Sequence, residues 1–207
     1  MNNIKVGKLG ATITGAAVLA FAISMLIDFF TNTIFFSCLS SLFIAIGYII
    51  FVAGILSSQK DCPMTATAIA GIAFAVIYAI LIFLVYYAEC TTVRMNAALS
   101  EEAISIISYS HLGSLFFNYD LLGYAFMGLS TFFVGFSIKP INNSGKWLQR
   151  LLWIHGIFFI SCLIVPMLPI FTPGTDSIVG TILLEFWCIY FLPVCILGWK
   201  YIGAAEH

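Results

Sequence analysis

Long apolar runs alternate with short polar stretches along the whole chain. Six of these runs are about 20 residues long, which is enough for a helix to cross a bilayer. They lie near residues 9–30, 34–56, 66–88, 113–138, 147–169 and 178–201. The polar connections are short except for residues 89–112. We therefore predict an all-α integral membrane bundle of six transmembrane helices, forming a single transmembrane domain over residues 1–207.

The composition agrees with this reading. Hydrophobic residues make up 62% of the chain and charged residues only 8%, whereas soluble domains carry about 25% charged residues. A water-soluble fold is therefore excluded, and the lipid bilayer is the first expected partner. The net charge is -1 and the basic residues are scattered, so we expect no nucleic-acid partner.

The basic residues predict the orientation of the bundle. With a cytoplasmic N-terminus, Arg94 is the single cation on the outer side. The inner side then carries Lys5, Lys8, Lys60, Lys139, Lys146, Arg150 and Lys200. Because positive residues favour the cytoplasmic side of short loops, we predict that the N- and C-termini are both cytoplasmic.

The carboxylates show the opposite distribution. Asp28 and Glu89 close the first and third predicted helices at the outer surface, while Asp120 and Glu185 lie about 10 Å inside the outer ends of the fourth and sixth. An ionisable side chain in hydrocarbon costs at least a few kcal/mol, so it normally faces a partner or a watery cavity. These four acids are therefore candidate site residues.

Polar residues recur at helical spacing on several of these helices. Asp120 shares a face with Tyr124, Glu185 shares one with Thr181 and Cys188, and His155 lies near the midplane of the fifth helix. Similar stripes on separate helices are expected to face one another. We predict an outward-facing polar and aromatic cavity with His155 at its base and residues 89–112 as its cover.

This cavity predicts the function. We expect the protein to bind or transport a small molecule, and carboxylates among aromatic rings would suit an amine or another organic cation. The expected ligand-binding residues are Asp120, Glu185, Tyr124, Trp187, His155, Glu89, Arg94 and Asp28. A purely structural alternative pairs Arg94 with Glu89 or Asp120, although one arginine cannot neutralise four acids.

Two further functions remain open. No HExxH, GxSxG, P-loop or GxGxxG motif is present, so no recognisable catalytic motif indicates an enzyme, and we expect no cofactor and no metal site. One alternative is an intramembrane enzyme in which His155 and Glu185 perform acid–base chemistry on a lipid-like substrate. The other is a non-catalytic interaction subunit whose partner helix packs on small residues of the first helix (Ala16, Ala20) or the third (Gly71, Ala75, Ala79).

The six cysteines form no CxxC motif, so a disulfide framework is not expected. A Cys38–Cys90 bridge near the outer surface is the weaker alternative to free thiols.

The last helix, LLEFWCIYFLPVCILGWKYI, contains Glu185, Trp187 and Gly198. With six spans and a longer third connection, it resembles an uncharacterised family of bacterial six-helix membrane proteins known as a domain of unknown function. The resemblance implies the bacterial inner (cytoplasmic) membrane and no particular activity. In length, orientation and outward pocket, the chain is also similar to the six-helix substrate-binding subunits of vitamin transporters, a likeness of shape alone.

Overall fold

The computed structural model describes residues 2–31, 33–58, 64–95, 98–140, 142–168 and 177–204. Within these ranges every regular element is helical. The α-helices are α1 (Asn3–Thr31), α2 (Phe35–Ser57), α3 (Ala66–Ala88), α4 (Glu101–Ile107), α5 (Leu115–Ser137), α6 (Asn143–His155), α7 (Ile157–Ile164) and α8 (Ser177–Ala204). A π-helical turn follows α3 at Glu89–Val93, and a 3₁₀ turn follows α7 at Val165–Met167.

Six helical segments of the described chain are long and apolar enough to cross a membrane. The prediction of an all-α, six-helix membrane bundle is confirmed, and the protein is an integral membrane protein. The two ends of the chain meet at one end of the bundle, where Lys8 lies beside Gly203. We call this the terminal end, and the opposite end, with the π-helical turn and α4, the loop end. The cytoplasmic location of the terminal end stays a prediction.

Polar side chains begin several of the helices. Thr65 accepts a hydrogen bond from Ala68 N, Ser100 from Ala103 N, and Ser114 from Phe117 N. Each of these contacts satisfies a backbone N–H that has no partner within its helix.

The fifth span differs from the predicted helix at 147–169. It begins earlier, at Asn143, and is interrupted at Gly156. There Gly156 N donates to Trp153 O at 3.0 Å and Phe159 N donates to Gly156 O at 3.1 Å. These are the shorter-range bonds of a 3₁₀ turn. A continuous apolar run gave no signal for this break.

Helices α1 and α2 approach so closely that glycine is required at their crossing. A Cβ on Gly54 would lie 2.2 Å from Gly7 Cα, and one on Gly10 would lie 2.5 Å from Phe51 N. Glycine removes the side chain that would hold the two backbones apart. The two backbones therefore leave no space between α1 and α2 at this crossing.

The small residues of α3 are used within the chain. Gly71, Ala75 and Ala79 are buried, and a Cβ on Gly71 would meet Val134 of α5 at 2.8 Å. Ala16 and Ala20 of α1, by contrast, are exposed. A partner helix on the small-residue face of α1 therefore stays a prediction, whereas the small face of α3 is already covered by α5.

Helix α8 packs along α1 and against α6. It has no comparable packing against α7 among the described residues. As a result, the loop-end half of α8 stands away from α7 and leaves a cleft.

Candidate functional site

The cleft between α7 and α8 continues into a cavity of about 220 Å³ that reaches α5. The segment before α5 contributes to its wall. The lining residues are Tyr109, Leu112, Phe117, Asp120, Leu121, Tyr124, Phe158, Ser161, Cys162, Val165, Gly180, Leu183, Leu184 and Trp187. Most of this wall is apolar. Among the described residues that line it, Asp120 is the only Asp, Glu, Lys, Arg or His.

Three of the predicted site residues meet here: Asp120, Tyr124 and Trp187. Tyr109 and Leu112, from the segment expected to cover the cavity, also line it. The other five predicted residues do not line the cavity, and each has a different surrounding.

One carboxylate oxygen of Asp120 lacks a hydrogen-bond partner although the side chain is buried. The side chain is 3% exposed, and Oδ1 has no partner among the described residues. The hydroxyls of Tyr78 and Tyr124 are also buried and without partners within that part of the chain, and the Tyr86 hydroxyl lies next to the carboxylate. All three phenols lie within electrostatic range of the carboxylate. We call these four residues the Asp120 cluster.

The rings hold the cluster in a continuous aromatic wall. The Tyr78 ring lies 5.8 Å from the Tyr124 ring, and the Tyr124 ring packs edge-on against Trp187 at 5.3 Å. Tyr86 packs against Tyr109 at 5.1 Å. Such ring pairs fix the side chains more firmly than burial alone. The polar atoms are therefore held in place rather than free to turn toward other partners.

Tyr109 brings a phenol to the cavity from outside the spans. Burial raises the pKa of this phenol, and the nearby Asp120 carboxylate raises it further. At neutral pH the hydroxyl therefore stays protonated and can donate a hydrogen bond.

Glu89 holds the segment that carries Tyr109. Its carboxylate accepts hydrogen bonds from Ser108 Oγ at 3.0 Å and from Tyr109 N at 3.2 Å. Ser114 Oγ in turn donates to Ser108 O at 2.7 Å. Glu89 is thus a positioning residue for the cavity wall.

His155 lies fully buried beneath Trp187 and has no free ring nitrogen. Trp187 Nε1 donates to His155 Nε2 at 3.0 Å, and Thr131 Oγ1 lies 2.9 Å from Nδ1. Because an indole N–H can only donate, Nε2 is an acceptor and the ring proton is on Nδ1. The proton is donated to Thr131 Oγ1, which donates to Gly128 O at 2.9 Å. His155 therefore supports Trp187 from below and does not reach the cavity.

Glu185 lies on a different face of α8 from the one expected. The cavity face of this helix carries Gly180, Leu183, Leu184 and Trp187. Each residue turns an α-helix by about 100°, so Glu185, which follows Leu184, points away from that face. Its Oε1 is buried and has no partner among the described residues.

Arg94 and Asp28 also lie apart from the cavity. The guanidinium of Arg94 lies 4.0 Å from the centre of the Phe35 ring. Glu89, its expected structural partner, is bonded to Ser108 and Tyr109 instead. Asp28 is buried near the end of α1, and its carboxylate has no partner among the described residues.

The thiols of Cys38 and Cys90 lie in hydrogen-bonding contact at the loop end. Both are free cysteines. The structure therefore brings together the pair that was the weaker alternative in the sequence, without a bond between the sulfur atoms.

Tyr78 and Tyr109 belong to the site but were missed in the sequence. Tyr78 shares α3 with Gly71, Ala75 and Ala79, whose spacing indicated only helix packing. Tyr109 lies in a connection, where no periodicity assigns a direction to the side chain. Only the packing of α3 against α5 brings Tyr78 close to Tyr124.

The fold and the cavity define an integral membrane protein with a partly open, aromatic and acidic cleft. No protein-family model matches this chain, and no curated protein or solved structure matches it either. The two family resemblances therefore gain no support from these comparisons.

Proposed function

We propose that this integral membrane protein binds a small organic cation in the cavity between α5, α7 and α8, with Asp120 as the counter-ion. The observation that carries the proposal is Asp120 Oδ1, which is buried at the cavity wall without a partner among the described residues. A buried polar atom of this kind is costly unless something pairs with it. A cation in the cavity would offset that cost.

The aromatic wall supports the same class of ligand. Tyr109, Tyr124 and Trp187 all line the cavity. Aromatic faces attract cations by about 0.5–2 kcal/mol each, depending on how far water is excluded. A neutral or anionic molecule would gain nothing comparable from Asp120. Charge and rings together therefore favour an amine or a quaternary ammonium group.

Binding fits the geometry better than the enzyme alternative does. Both ring nitrogens of His155 are engaged with Trp187 and Thr131, and Glu185 points away from the cavity face. The acid–base pair of the enzyme hypothesis is therefore not assembled. Transport through the same site is a more specific proposal. We favour binding over transport because the Trp187–His155 contact closes the cavity toward the terminal end.

Thermal unfolding of the purified protein in lipid nanodiscs tests the proposal. A panel of amines and quaternary ammonium ions is compared with neutral molecules of the same shape, on wild type, Asp120→Asn and Glu185→Gln. A cation at 100 times its Kd stabilises the folded state by about 2.7 kcal/mol. We expect this stabilisation in wild type and Glu185→Gln but not in Asp120→Asn.

The matched variants make the result decisive. Both substitutions remove one carboxylate from a membrane span, but only Asp120 lines the cavity. If no cation stabilises wild type, or if Asp120→Asn responds as wild type does, the proposal is wrong.

A further inference from the structure

The open side of the cavity faces the surface that the spans present to lipid. At the mouth, Leu183 of α8 is 56% exposed although it lines the cavity. Ser161 of α7 lines it and is exposed as well. Both residues lie within candidate membrane spans. The mouth therefore opens sideways from the bundle, between α7 and α8.

The helix surfaces beside this mouth are apolar. Ile157 and Ile164 of α7 are exposed, and so is Phe186 of α8. Exposed side chains of this type, inside a membrane span, are covered by lipid chains. A molecule that approaches the mouth therefore comes from hydrocarbon rather than from water.

The interior changes from apolar to polar with depth. Leu183 and Val165 lie toward the mouth, whereas Asp120, Tyr124 and Trp187 are almost completely buried. The path from this mouth to the carboxylate therefore passes apolar side chains. A ligand that fits this gradient has a charged group in front and a hydrocarbon chain behind.

The volume leads to the same conclusion. Pockets that enclose a whole drug-sized ligand measure about 300–1,000 Å³, whereas this cavity measures about 220 Å³. It has room for a headgroup and the first part of a chain. A longer chain has to leave through the mouth.

We propose that the ligand is a single-chain amphiphile with a cationic headgroup, which enters sideways from the bilayer between α7 and α8. Its headgroup lies at Asp120 among Tyr109, Tyr124 and Trp187. Its chain passes Leu183 and continues into lipid. This inference rests on the proposed cation site and adds the class of ligand and its route.

Chain length tests the route. Tetramethylammonium and trimethylammonium ions with alkyl chains from butyl to dodecyl are titrated against wild type in nanodiscs, and Asp120→Asn provides the background of simple partitioning. Each methylene raises the concentration of amphiphile in the bilayer about fourfold, which corresponds to about 0.8 kcal/mol. We expect the affinity, referred to the aqueous concentration, to rise about fourfold per methylene without a limit at long chains. Referred to the concentration in the bilayer, it should stay nearly constant.

The outcomes separate the two proposals. If tetramethylammonium and short chains bind but affinity is lost beyond a short chain length, the cavity is closed to lipid and the lateral route is wrong, while the cation site stands. If no member of the series binds to wild type more tightly than to Asp120→Asn, both proposals fail.

A substitution at the mouth gives a second, independent test. Leu183→Trp narrows the opening, and Ile189→Trp adds the same side chain at a position of α8 that is 69% exposed and does not line the cavity. Both sites tolerate a larger residue because they are exposed. We expect the affinity for dodecyltrimethylammonium to fall at least tenfold in Leu183→Trp and to stay within twofold of wild type in Ile189→Trp. Equal affinities in the two variants would overturn the lateral route.

Discussion

Two groups of buried polar atoms lie on either side of Trp187, and they differ in whether those atoms have hydrogen-bond partners. Beneath Trp187, His155 bonds to the indole and to Thr131, which bonds to Gly128. Beside Trp187, the Asp120 cluster has three polar atoms without partners among the described residues: Asp120 Oδ1 and the hydroxyls of Tyr78 and Tyr124. Since buried polar groups in folded proteins are nearly always hydrogen-bonded, the first group stabilises the fold, and the proposed ligand would pair with Asp120 and Tyr124, which line the cavity.

The largest expected effect is the loss of His155. His155→Ala removes a fully buried ring and leaves Trp187 Nε1 and Thr131 without their partner. We expect the free energy of unfolding to fall by about 3–5 kcal/mol, measured by denaturant-induced unfolding in mixed micelles. Thr131→Ser, which retains the hydroxyl, should lose no more than about 1 kcal/mol. A stable His155→Ala protein would show that this network is not structural.

Two glycines compare the tightly packed α1–α2 crossing with the open cleft between α7 and α8. A Cβ on Gly54, at the α1–α2 crossing, would lie 2.2 Å from Gly7 Cα, whereas a Cβ on Gly180 at the cleft meets nothing within 4 Å. We expect Gly54→Ala to lower the free energy of unfolding by about 2–3 kcal/mol. Gly180→Ala should change it by less than about 1 kcal/mol, with helix propensity in its favour. Similar effects of the two substitutions in the unfolding assay would show that the cleft is closed.

Asp120→Asn should not destabilise the ligand-free protein. The substitution keeps the shape of the side chain and replaces a buried carboxylate whose Oδ1 has no partner among the described residues. We expect the free energy of unfolding to stay the same or to rise by up to about 2 kcal/mol. A fall of more than about 2 kcal/mol in unfolding measurements without ligand would show that Asp120 has a structural partner in the folded chain.

The smallest effect distinguishes two neighbouring tyrosines. Tyr48 and Tyr78 are both fully buried, and their rings pack against each other at 5.5 Å. The Tyr48 hydroxyl donates to Ser130 Oγ at 2.9 Å, whereas the Tyr78 hydroxyl has no partner among the described residues. We expect Tyr48→Phe to lose about 1 kcal/mol and Tyr78→Phe to lose less than about 0.5 kcal/mol, or to gain stability. A larger loss for Tyr78→Phe would contradict the distinction between the two groups.

The six spans could be predicted because length and apolar composition alone determine whether a helix can cross a bilayer. Asp120, Tyr124 and Trp187 could be placed in one site because polar residues within spans rarely face lipid. Glu185 could not be placed correctly, because the rotation of α8 about its axis depends on its packing against α1 and α6. A stripe of polar residues does not reveal which side of a helix faces a cavity.

Other parts of the site depend on contacts that no single stretch of sequence contains. Tyr78 approaches Tyr124 only because Gly71 lets α3 lie close to α5. The cleft exists because the loop-end half of α8 has no close packing against α7 among the described residues. Neither feature changes the hydropathy of the chain, so neither could be predicted from it.

Site mapping with a photoreactive cation shows directly whether a cation binds in the cavity beside Asp120. A trimethylammonium ion with a diazirine on a short arm is bound to the protein in nanodiscs and activated by light, and the labelled peptides are identified by mass spectrometry. We predict that the labels lie on the cavity residues of α5, α7 and α8, among them Tyr124, Phe158 and Leu184. The labels should be lost in Asp120→Asn but not in Glu185→Gln. Labels that are spread over the lipid-facing residues of α1 and α3, or that are unchanged in Asp120→Asn, would contradict it.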